Sequence, residues 1–575
     1  MRRLVILDGY VDEPACFGVP PYLGPHARYI AGAMAEVPGW SVDYLTIDQH
    51  RRSPEHRAKL DGADLLVLIS GALVPGKYLR GMPVSYREAQ AIASSFGGET
   101  LLAGSSAVWG FGQGGGKPPL GRHELKGLFT HLAFQDAAAY LHDVLALGQG
   151  QQRRMTMDEW GRWSIAGAAL ARTHPDWPRP LIAEIETYHG CVRYVDGGCA
   201  FCMEPAEGQP KFRPVEQVVA EVGALAAHGV VNVRLGGQAD FFSYHARGVG
   251  EGPEPRPNPG AIEQLLVGIR RVAPTLEWLH IDNVDPGILA AWPAESEAIA
   301  RLVAEHCTDG NIAAFGVESV DPAVIARNHL KCPPDVALAA IRLLNKVGAA
   351  RGPMGLPKFL PGLNFIAGLP GETRETYRLN MEFLAQVRDE GLLVRRINLR
   401  KLLEQRIAGG ADEGLFYKFK DWVRREVDQP MLRRIAPAGT ILRSVWMEYA
   451  EGSLTFGRQP GSYALLVGVP YALPLERAVD IVVTDHGFRS LTGVQHPFPV
   501  NGAPLRALQA LPGVGKKRAA RLAVARPLAS PKELAAALDD PAVAASLAGL
   551  LSFAPAAAPT PRAPTPRRAR GPRAG

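Results

Sequence analysis

The sequence predicts an α/β protein: a partial (β/α)6 TIM-like barrel, preceded by an N-terminal doubly wound α/β domain and followed by small C-terminal β-barrel and helical modules. Apolar runs of strand length alternate with helical patterns up to about residue 420. Short strand patterns separated by turn residues follow, and beyond Leu505 the pattern is helical. The 575 residues correspond to roughly three to five domains at ~150 residues each.

Composition and charge exclude several classes of protein. Apolar residues make up 47% and charged residues 21%, a globular balance that excludes a wholly disordered or fibrous chain. We expect a cytoplasmic protein, because there is no long apolar span and Asp8 interrupts the place where a signal peptide needs its apolar core. Of the net charge of +6, five charges come from arginines in residues 554–575, a predicted disordered tail. Binding of nucleic acid would therefore depend on local sites.

Residues 1–150 show βαβ order, which predicts a parallel sheet with helices on both faces in a Rossmann-like domain. The predicted strands are Leu4–Leu7, Val42–Ile47, Leu65–Ile69 and Thr100–Ala103, and the predicted helices are Pro25–Glu36 and Tyr86–Phe96. Gly110, Gly112 and Gly115 match G-x-G-x-x-G, but no helix begins after them, so we interpret this segment as a loop.

Residues 48–50 match the start of the cobalamin-binding motif D-x-H-x-x-G, but Ser53 stands where glycine is required. The domain is therefore similar to cobalamin-binding domains without carrying their motif. Residues 151–178, rich in Trp and Arg, are interpreted as an irregular connector.

From 179 to 420, six strand patterns alternate with helical ones, which predicts the partial barrel with its chemistry at the carboxyl ends of the strands. The strands are Leu181–Thr187, Val230–Leu235, Leu276–Ile281, Ile312–Val317, Leu363–Ala367 and Val394–Leu399. The helices between them include Val215–Ala227, Ala261–Val272, Asp335–Val347 and Glu375–Arg388.

A group of three cysteines follows the first of these strands. Its members are Cys191, Cys199 and Cys202. Three thiolates can hold three irons of a four-iron cubane and leave the fourth iron open. Gly197 and Gly198 let the backbone fold closely around such a cluster. On spacing alone, a zinc site with His189 as the fourth ligand is an alternative.

A three-cysteine loop after the first barrel strand, with the aromatic Phe201 before its last cysteine, resembles the radical S-adenosylmethionine (SAM) superfamily. The usual spacing there is C-x3-C-x2-C, whereas this chain has C-x7-C-x2-C. The resemblance implies a [4Fe-4S] cluster on the three cysteines and SAM at the open iron. It also implies generation of a 5′-deoxyadenosyl radical and an electron donor such as ferredoxin or flavodoxin. It identifies no separate catalytic acid or base.

Three further segments of the predicted barrel resemble superfamily motifs, and the resemblance extends over about residues 181–401. Gly236-Gly237-Gln238 stands where relatives have Gly-Gly-acidic, the segment that binds the methionine amino group. Residues 315–319 resemble the GxES segment, and residues 365–373 match the GLPGET turn. The cofactor-binding residues implied by the resemblance are Phe201, Gly236, Gly237, Gln238, Glu318, Ser319 and Pro370.

The C-terminal modules suggest a partner. Residues 508–519, within the module predicted at 501–553, resemble a helix-hairpin-helix motif. We expect Gly513 and Gly515 to present N–H groups to a phosphate, with Lys516 and Lys517 adding charge. A hairpin that only docks domains is the alternative. Within the small β module predicted at 421–500, the segment 479–493 resembles the RNA-binding TRAM barrel.

As a whole, the chain resembles an uncharacterised archaeal-type group of radical SAM iron–sulfur oxidoreductases with a C-terminal helix-hairpin-helix. The leading hypothesis is an enzyme that modifies a nucleic acid, with structured RNA favoured over DNA. The alternatives are a radical SAM enzyme acting on a small molecule and a non-enzymatic nucleic-acid-binding protein with a structural cluster. Methylthio transfer is disfavoured, because it needs three N-terminal cysteines and only Cys16 lies there. Cys307 and Cys332 are expected to be buried apolar residues.

Overall fold

The N-terminal domain is built on a parallel sheet in the computed structural model, which describes all residues except 12–17, 72–80, 113–118, 122, 124, 403–406, 408 and 555–575. Its strands are β1 (Arg2–Asp8), β2 (Tyr22–Leu23), β3 (Trp40–Thr46), β4 (Leu65–Ile69), β5 (Glu99–Ala103) and β6 (His131–Leu132). Its helices are α1 (Pro25–Met34), α2 (Ile47–Arg52), α3 (Pro54–Arg57), α4 (Tyr86–Ser95), α5 (Ser105–Trp109) and α6 (Ala137–Leu147). The sheet has the order β3-β1-β4-β5-β6.

Both faces of this sheet are buried, as its continuous apolar strands predict. Leu4 and Ile6 of β1 belong to one apolar core, and Val5 and Leu7 belong to another on the opposite face. The cobalamin-like segment forms part of α2, where Gln49 closes a capping box with Thr46. Gly115 of the glycine-rich match, the tail from residue 555 and Cys16 lie outside the described residues.

The prediction of an irregular connector is wrong, because residues 151–178 contain α7 (Met157–Ala166) and a 3-10 helix at Gly167–Thr173. Thr156 and Glu159 form a reciprocal capping box that starts α7. Trp160 and Trp163 are buried on one face of the helix. The helix packs against α1, so this segment is part of the core between the N-terminal sheet and the next domain.

The second domain contains the predicted alternation of strands and helices. Its strands are β7 (Ile182–Glu186), β8 (Tyr188–His189), β9 (Lys211–Phe212), β10 (Asn232–Gly236), β11 (Trp278–Ile281), β12 (Asn283–Val284), β13 (Asn311–Glu318), β14 (Phe359–Ala367) and β15 (Arg396–Lys401). Its helices are α8 (Val215–Ala227), α9 (Pro259–Val272), α10 (Pro286–Ala291), α11 (Pro293–His306), α12 (Pro322–Arg327), α13 (Pro334–Gly348) and α14 (Arg374–Asp389).

These strands form two parallel sheets, β2-β7-β10-β11 and β12-β13-β14-β15, and the single residue Asp282 separates β11 from β12. Apart from β2, the strands of the two sheets follow one another in sequence order, as repeated right-handed βα units predict. The predicted bounds agree within two residues except at the start of β14. That strand begins at Phe359, because it continues through Pro361 and Gly362, where the sequence suggested an interruption.

The N-terminal domain and the second domain are joined by a shared sheet and by buried ion pairs. Strand β2, which comes from the N-terminal segment, pairs with the edge of β7, with Tyr22 opposite Ile182. Arg28 of α1 forms a buried ion pair with Glu221 of α8, and Arg213 donates to the other oxygen of the same carboxylate at 2.6 Å. All three of these side chains are fully buried.

The β module starts later than the predicted boundary at residue 421, because a helical layer comes first. This layer consists of α15 (Glu413–Trp422), a π-helix (Val423–Asp428) and α16 (Gln429–Ile435). Phe419 of α15 packs on Phe365 and Tyr377 of the second domain, so this helix belongs with that domain rather than with the barrel. A closed barrel follows: β16 (Ile441–Glu451), β17 (Leu454–Arg458), β18 (Leu466–Val469), β19 (Ala478–His486) and β20 (Ser490–Gln495).

The last described module is helical. It contains β21 (Phe498–Pro499), α17 (Leu505–Gln509), α18 (Gly515–Ala525), α19 (Pro531–Leu538), α20 (Pro541–Ala548) and β22 (Leu551–Ser552). Strands β21 and β22 pair in parallel and hold the two ends of the module together. Within the described part of the chain, the helices are all too short or too polar to cross a bilayer.

Candidate active site

The three cysteines lie in one loop beyond the carboxyl end of β7. Cys191 precedes a 3-10 helix at Val192–Val195, and the backbone N–H of Cys202 donates to the carbonyl of Cys199 at 2.9 Å in a tight turn. The pKa of Cys191 is raised to about 11 and that of Cys202 to about 12, mainly by burial and in smaller part by the neighbouring thiols. The loop therefore brings the three sulfurs into mutual electrostatic range.

Arg193 explains the longer gap between the first two cysteines. Its guanidinium pairs with Asp196 at 2.6 Å, and Asp196 accepts the N–H of Gly198 at 3.0 Å. The same guanidinium donates to the sulfur of Cys199 at 3.4 Å and to the carbonyl of His329 at 2.9 Å. The extra residues thus form a folded turn that places a cation against the second thiol.

Lys331 is a second cation at this site, and sequence analysis missed it. Its ammonium lies 2.8 Å from the carboxylate of Asp285, whose backbone N–H donates to Asp240 at 2.8 Å. The positive charge of Lys331 lowers the pKa of Cys191 and Cys199 against the larger effect of burial. No motif in the sequence marks this lysine.

The donor set fits a cluster better than a single zinc ion. Among the described residues, no three His, Cys, Asp or Glu side chains are close enough together to hold one metal ion. His189, the candidate fourth zinc ligand, instead stacks on Trp160 at 4.3 Å between ring centroids, and burial lowers its pKa to about 4. In a cubane each cysteine binds a different iron, so the thiols need not converge on one point.

The Gly-Gly-Gln segment lies where β10 ends, beside β7. Gly237 has a φ of +75°, and a Cβ there would come within 2.8 Å of Glu186. The buried amide of Gln238 donates to the carbonyl of Leu235 at 3.0 Å, and its Oε1 is buried without a protein partner in the described chain. Asn283 of β12 donates to the backbone carbonyl of Gln238 at 3.1 Å, which joins this segment to the next sheet.

Glu318 is strained and buried at the end of β13. Its φ is +64°, and the register with β14 shifts between Gly316 and Glu318. Burial raises the pKa of Glu318 to about 8, against the charges of Lys331 and Arg400, and its Oε2 lacks a partner among the described residues. Backbone strain of this kind is typical of functional sites. Ser319 is also buried, and its hydroxyl accepts from the N–H of Asp321 at 3.2 Å.

Phe201 and Pro370 connect the cysteine loop with the GLPGET turn. Phe201 packs on an apolar cluster formed by Val324, Leu330, Leu369 and Leu402. The N–H of Ala200 donates to the carbonyl of Asn328 at 3.0 Å, and the side chain of Asn328 donates to the carbonyl of Pro370 at 2.8 Å. Glu372 accepts from Gly368 and Tyr377, so it stabilises the turn itself.

The C-terminal candidate residues lie in the separate helical module. Lys516 and Lys517 are exposed in the first turn of α18. Gly513 and Gly515 have positive φ values of +72° and +58°. A Cβ on Gly513 would meet Val543 at 3.0 Å, whereas a Cβ on Gly515 would meet nothing within 4 Å. Both glycines are exposed, but a side chain added to Gly513 would press on Val543, whereas one added to Gly515 would enter open space.

Comparisons with known proteins agree with the geometry. The model of the "Radical SAM superfamily" matches residues 185–384. An uncharacterized protein of Methanocaldococcus jannaschii is 41% identical over 85% of this chain and 93% of its own. An uncharacterized protein of Archaeoglobus fulgidus is 38% identical over 93% of this chain and 97% of its own. A tRNA-2-methylthio-N(6)-dimethylallyladenosine synthase of Acidovorax is 24% identical over 36% of this chain and 41% of its own.

Proposed function

This chain belongs to the radical SAM superfamily, whose enzymes perform radical chemistry with a [4Fe-4S] cluster and SAM, and we propose that it modifies a nucleic acid, structured RNA in particular. The proposal depends mainly on one observation: Cys191, Cys199 and Cys202 lie together in one loop beyond β7. Two cations, Arg193 and Lys331, lie beside them. The strands from β7 to β15 would form the partial (β/α)6 barrel around this chemistry.

Each part of the site has a role in the proposal. Cys191, Cys199 and Cys202 would hold the cluster, which together with SAM supplies a 5′-deoxyadenosyl radical for hydrogen abstraction. Arg193 and Lys331 offset the negative charge of the thiolates and cluster. Phe201 and Cys199 pack against the same apolar cluster, which would limit the access of water to this side of the bound group.

The unsatisfied polar atoms support a bound ligand beside the cysteines. Gln238 and Glu318 each bury an oxygen that has no protein partner in the described chain. Buried oxygens of this kind are costly unless they are hydrogen-bonded. We propose that Gln238 and the backbone of Gly236 and Gly237 bind the methionine part of SAM. Glu318, Ser319 and Pro370 would shape the adenosine side.

Three observations support RNA as the substrate. The Acidovorax relative, which matches part of this chain, is named as an enzyme of tRNA modification. The chain contains a closed five-stranded barrel, and residues 479–493 in it resemble the RNA-binding TRAM barrel in sequence. Lys516 and Lys517 project from the start of α18, where backbone N–H groups and ammonium groups suit a phosphate. Methylthio transfer stays disfavoured, because the sequence has one N-terminal cysteine.

Anaerobic reconstitution tests the enzymatic part. Wild-type protein should carry one four-iron cluster and, once reduced with SAM present, should release 5′-deoxyadenosine. Changing Cys191, Cys199 or Cys202 to Ala should abolish both signals, whereas Cys307→Ala should retain them because Cys307 lies outside the loop. Wild-type protein that binds stoichiometric zinc and no iron would refute the proposal.

Nucleoside mass spectrometry tests the substrate. Total RNA from a strain lacking the gene should miss one modified nucleoside. The wild-type gene should restore it, and a gene carrying Cys199→Ala should not. Identical nucleoside profiles in all strains would contradict RNA modification, while the 5′-deoxyadenosine assay would still judge the radical chemistry separately.

A further inference from the structure

A cavity of about 360 Å³ lies between the second domain, the helical layer and the closed barrel. Its wall includes Tyr22 of β2, strand β15, Asp428 at the end of the π-helix, and the segment between β17 and β18. Six arginines line it: Arg395, Arg396, Arg400, Arg424, Arg458 and Arg489. Among the residues that the structure describes, two carboxylates, Asp428 and Glu448, line the same cavity.

Both carboxylates already have arginine partners. Asp428 forms an ion pair with Arg424, one turn away in the π-helix. Glu448 accepts two parallel hydrogen bonds from Arg458, each at 3.0 Å. The other four arginines, Arg395, Arg396, Arg400 and Arg489, have no carboxylate within 4.0 Å among the described residues.

Two of these four arginines, Arg395 and Arg396, are only partly exposed. Arg395 donates to the carbonyl of Tyr463 at 2.8 Å, but its Nε is buried without a partner in the described chain. Arg396 lies over the ring of Tyr463, 4.1 Å from its centroid. Burial, and then the repulsion from Arg396, lowers the pKa of Arg395 to about 10. Positive charge that is partly buried and has no carboxylate partner is unfavourable unless an anion binds beside it.

The arginines also extend toward the candidate active site. Alternate residues of a strand share one face, and on β15 these are Arg396, Asn398 and Arg400, all partly exposed on the cavity side. Arg400 pairs with Ile366 of β14, and the residue before it, Phe365, pairs with Glu318 of β13. The charge of Arg400 lowers the pKa of Glu318, so one end of this row of side chains acts on the site.

We propose that this cavity binds a phosphate group of the substrate and so positions the substrate next to the radical site. The inference rests on the proposed function and specifies its substrate as phosphorylated. A phosphate monoester carries about −1.5 to −2 charge on three strong acceptor oxygens, so it can match several guanidinium forks together. A ligand with a single carboxylate would neutralise only one of the four arginines that lack a carboxylate partner. The volume suits a small molecule or one nucleotide and excludes a duplex.

Calorimetric titration of the anaerobically reconstituted full chain with inorganic pyrophosphate tests the cavity. Wild-type protein should bind pyrophosphate. Arg396→Gln should weaken binding roughly 10- to 100-fold, because this variant loses one charge-assisted hydrogen bond to the anion. Arg489→Gln should weaken it similarly and is a second test at a more exposed position, where folding is less at risk. Arg443→Gln is the matched control, since Arg443 pairs with Asp480 outside the cavity.

Two competitors distinguish the sources of phosphate. If the group belongs to a small molecule, adenosine 5′-monophosphate should displace pyrophosphate, and a ten-nucleotide RNA lacking terminal phosphates should not. If it belongs to an RNA strand, that oligonucleotide should compete. The proposal is overturned if wild-type protein binds none of the three, or if Arg396→Gln and Arg489→Gln bind like Arg443→Gln. The 5′-deoxyadenosine assay on wild-type protein separates failure of the cavity from failure of the radical function.

Discussion

At the scale of single residues, Lys331 is expected to affect the electrostatics of the cluster site, although it belongs to no motif. Its ammonium is largely shielded from solvent, is held by Asp285 and acts on two of the three cysteines. Burying a charge is expensive, so a lysine kept there has an electrostatic use at the site. Because a positive charge favours the more negative state of a neighbouring redox centre, Lys331 should make the cluster easier to reduce.

Lys331→Met should therefore lower the midpoint potential of the reconstituted cluster by roughly tens of millivolts, because net charge near a cluster tunes its potential. The single variant also leaves Asp285 unpaired, at a cost of about 3–5 kcal/mol. The double variant Lys331→Met/Asp285→Asn removes one charge of each sign, so it should recover stability and bring the potential back toward that of wild type. Lys346→Met, at an exposed pair with Glu297, is the control in a spectroelectrochemical titration. A potential equal to that of this control would contradict the assignment.

Asp8 should make stability depend on pH. It is buried at the end of β1, where it accepts from Tyr44 at 2.7 Å, and burial raises its pKa from 3.8 to about 6. The folded state therefore holds the proton more tightly than the unfolded chain. As a result the free energy of unfolding should fall by up to about 3 kcal/mol between pH 4 and pH 6 and then level off.

Asp8→Asn should remove this fall. In urea unfolding followed from pH 4 to pH 8, the variant should gain stability relative to wild type as the pH rises. An Asn side chain can keep both contacts, accepting from the N–H of Tyr10 and donating to the Tyr44 hydroxyl oxygen. A pH-independent difference between variant and wild type would show that Asp8 stays ionised when folded.

At the scale of elements, the buried ion pairs of Glu221 fasten α8 to α1. Glu221 takes one hydrogen bond from Arg28 and one from Arg213, and Arg28 also donates to the backbone carbonyl of Glu184 in β7. The contact joins a helix of the N-terminal domain to the first strand of the second. Removing the carboxylate charge leaves two guanidiniums buried without an anion.

Glu221→Gln should lower the free energy of unfolding by about 3–5 kcal/mol. Glu216→Gln is the matched control, because Glu216 is exposed on the same helix and its loss should change stability by less than about 0.5 kcal/mol. Chemical unfolding of both variants compares them. Equal stabilities would mean that the packing around α1 holds the domains together without the ion pairs.

Sequence patterns predicted most of these elements, since period and burial coincide in strands such as β4 and helices such as α8. These patterns failed where contacts between distant parts of the chain determine the local structure. Helix α7 was missed because Gly161 interrupts its helical pattern and its two tryptophans find their core only against α1. The three cysteines were predictable from local spacing. Lys331 and the arginines of the cavity were not, because folding alone brings them to their sites.

At the scale of the whole molecule, the proposed function predicts that the exposed Lys516 and Lys517 of α18 contact phosphates of a nucleic acid. Lys516→Ala/Lys517→Ala should weaken binding about equally across sequences and should reduce the magnitude of the log–log salt slope by up to ~1–2 units. Phosphate contacts carry no sequence information, which is why the loss should be uniform. Filter binding of RNA and duplex DNA over a salt series measures both quantities.

Lys532→Ala serves as the control, because Lys532 is an exposed lysine in the same module on a different helix. Affinity and slope matching this control would identify the hairpin as an element that only docks modules. Substitution of Gly513 is a poor probe of the phosphate, since an added Cβ would disturb the packing of Val543 first.

The pairing of β2 with β7 also bears on how the chain matures during synthesis. Tyr22 meets Ile182 only after about 160 further residues have been translated, roughly 10–30 s at bacterial and eukaryotic elongation rates. Throughout that interval Arg28 lacks the carboxylate of Glu221, which is made later still. The nascent N-terminal domain therefore waits with β2 unpaired and with Arg28 lacking its later partners Glu184 and Glu221. A fragment ending near residue 150 would remain in that unfinished state.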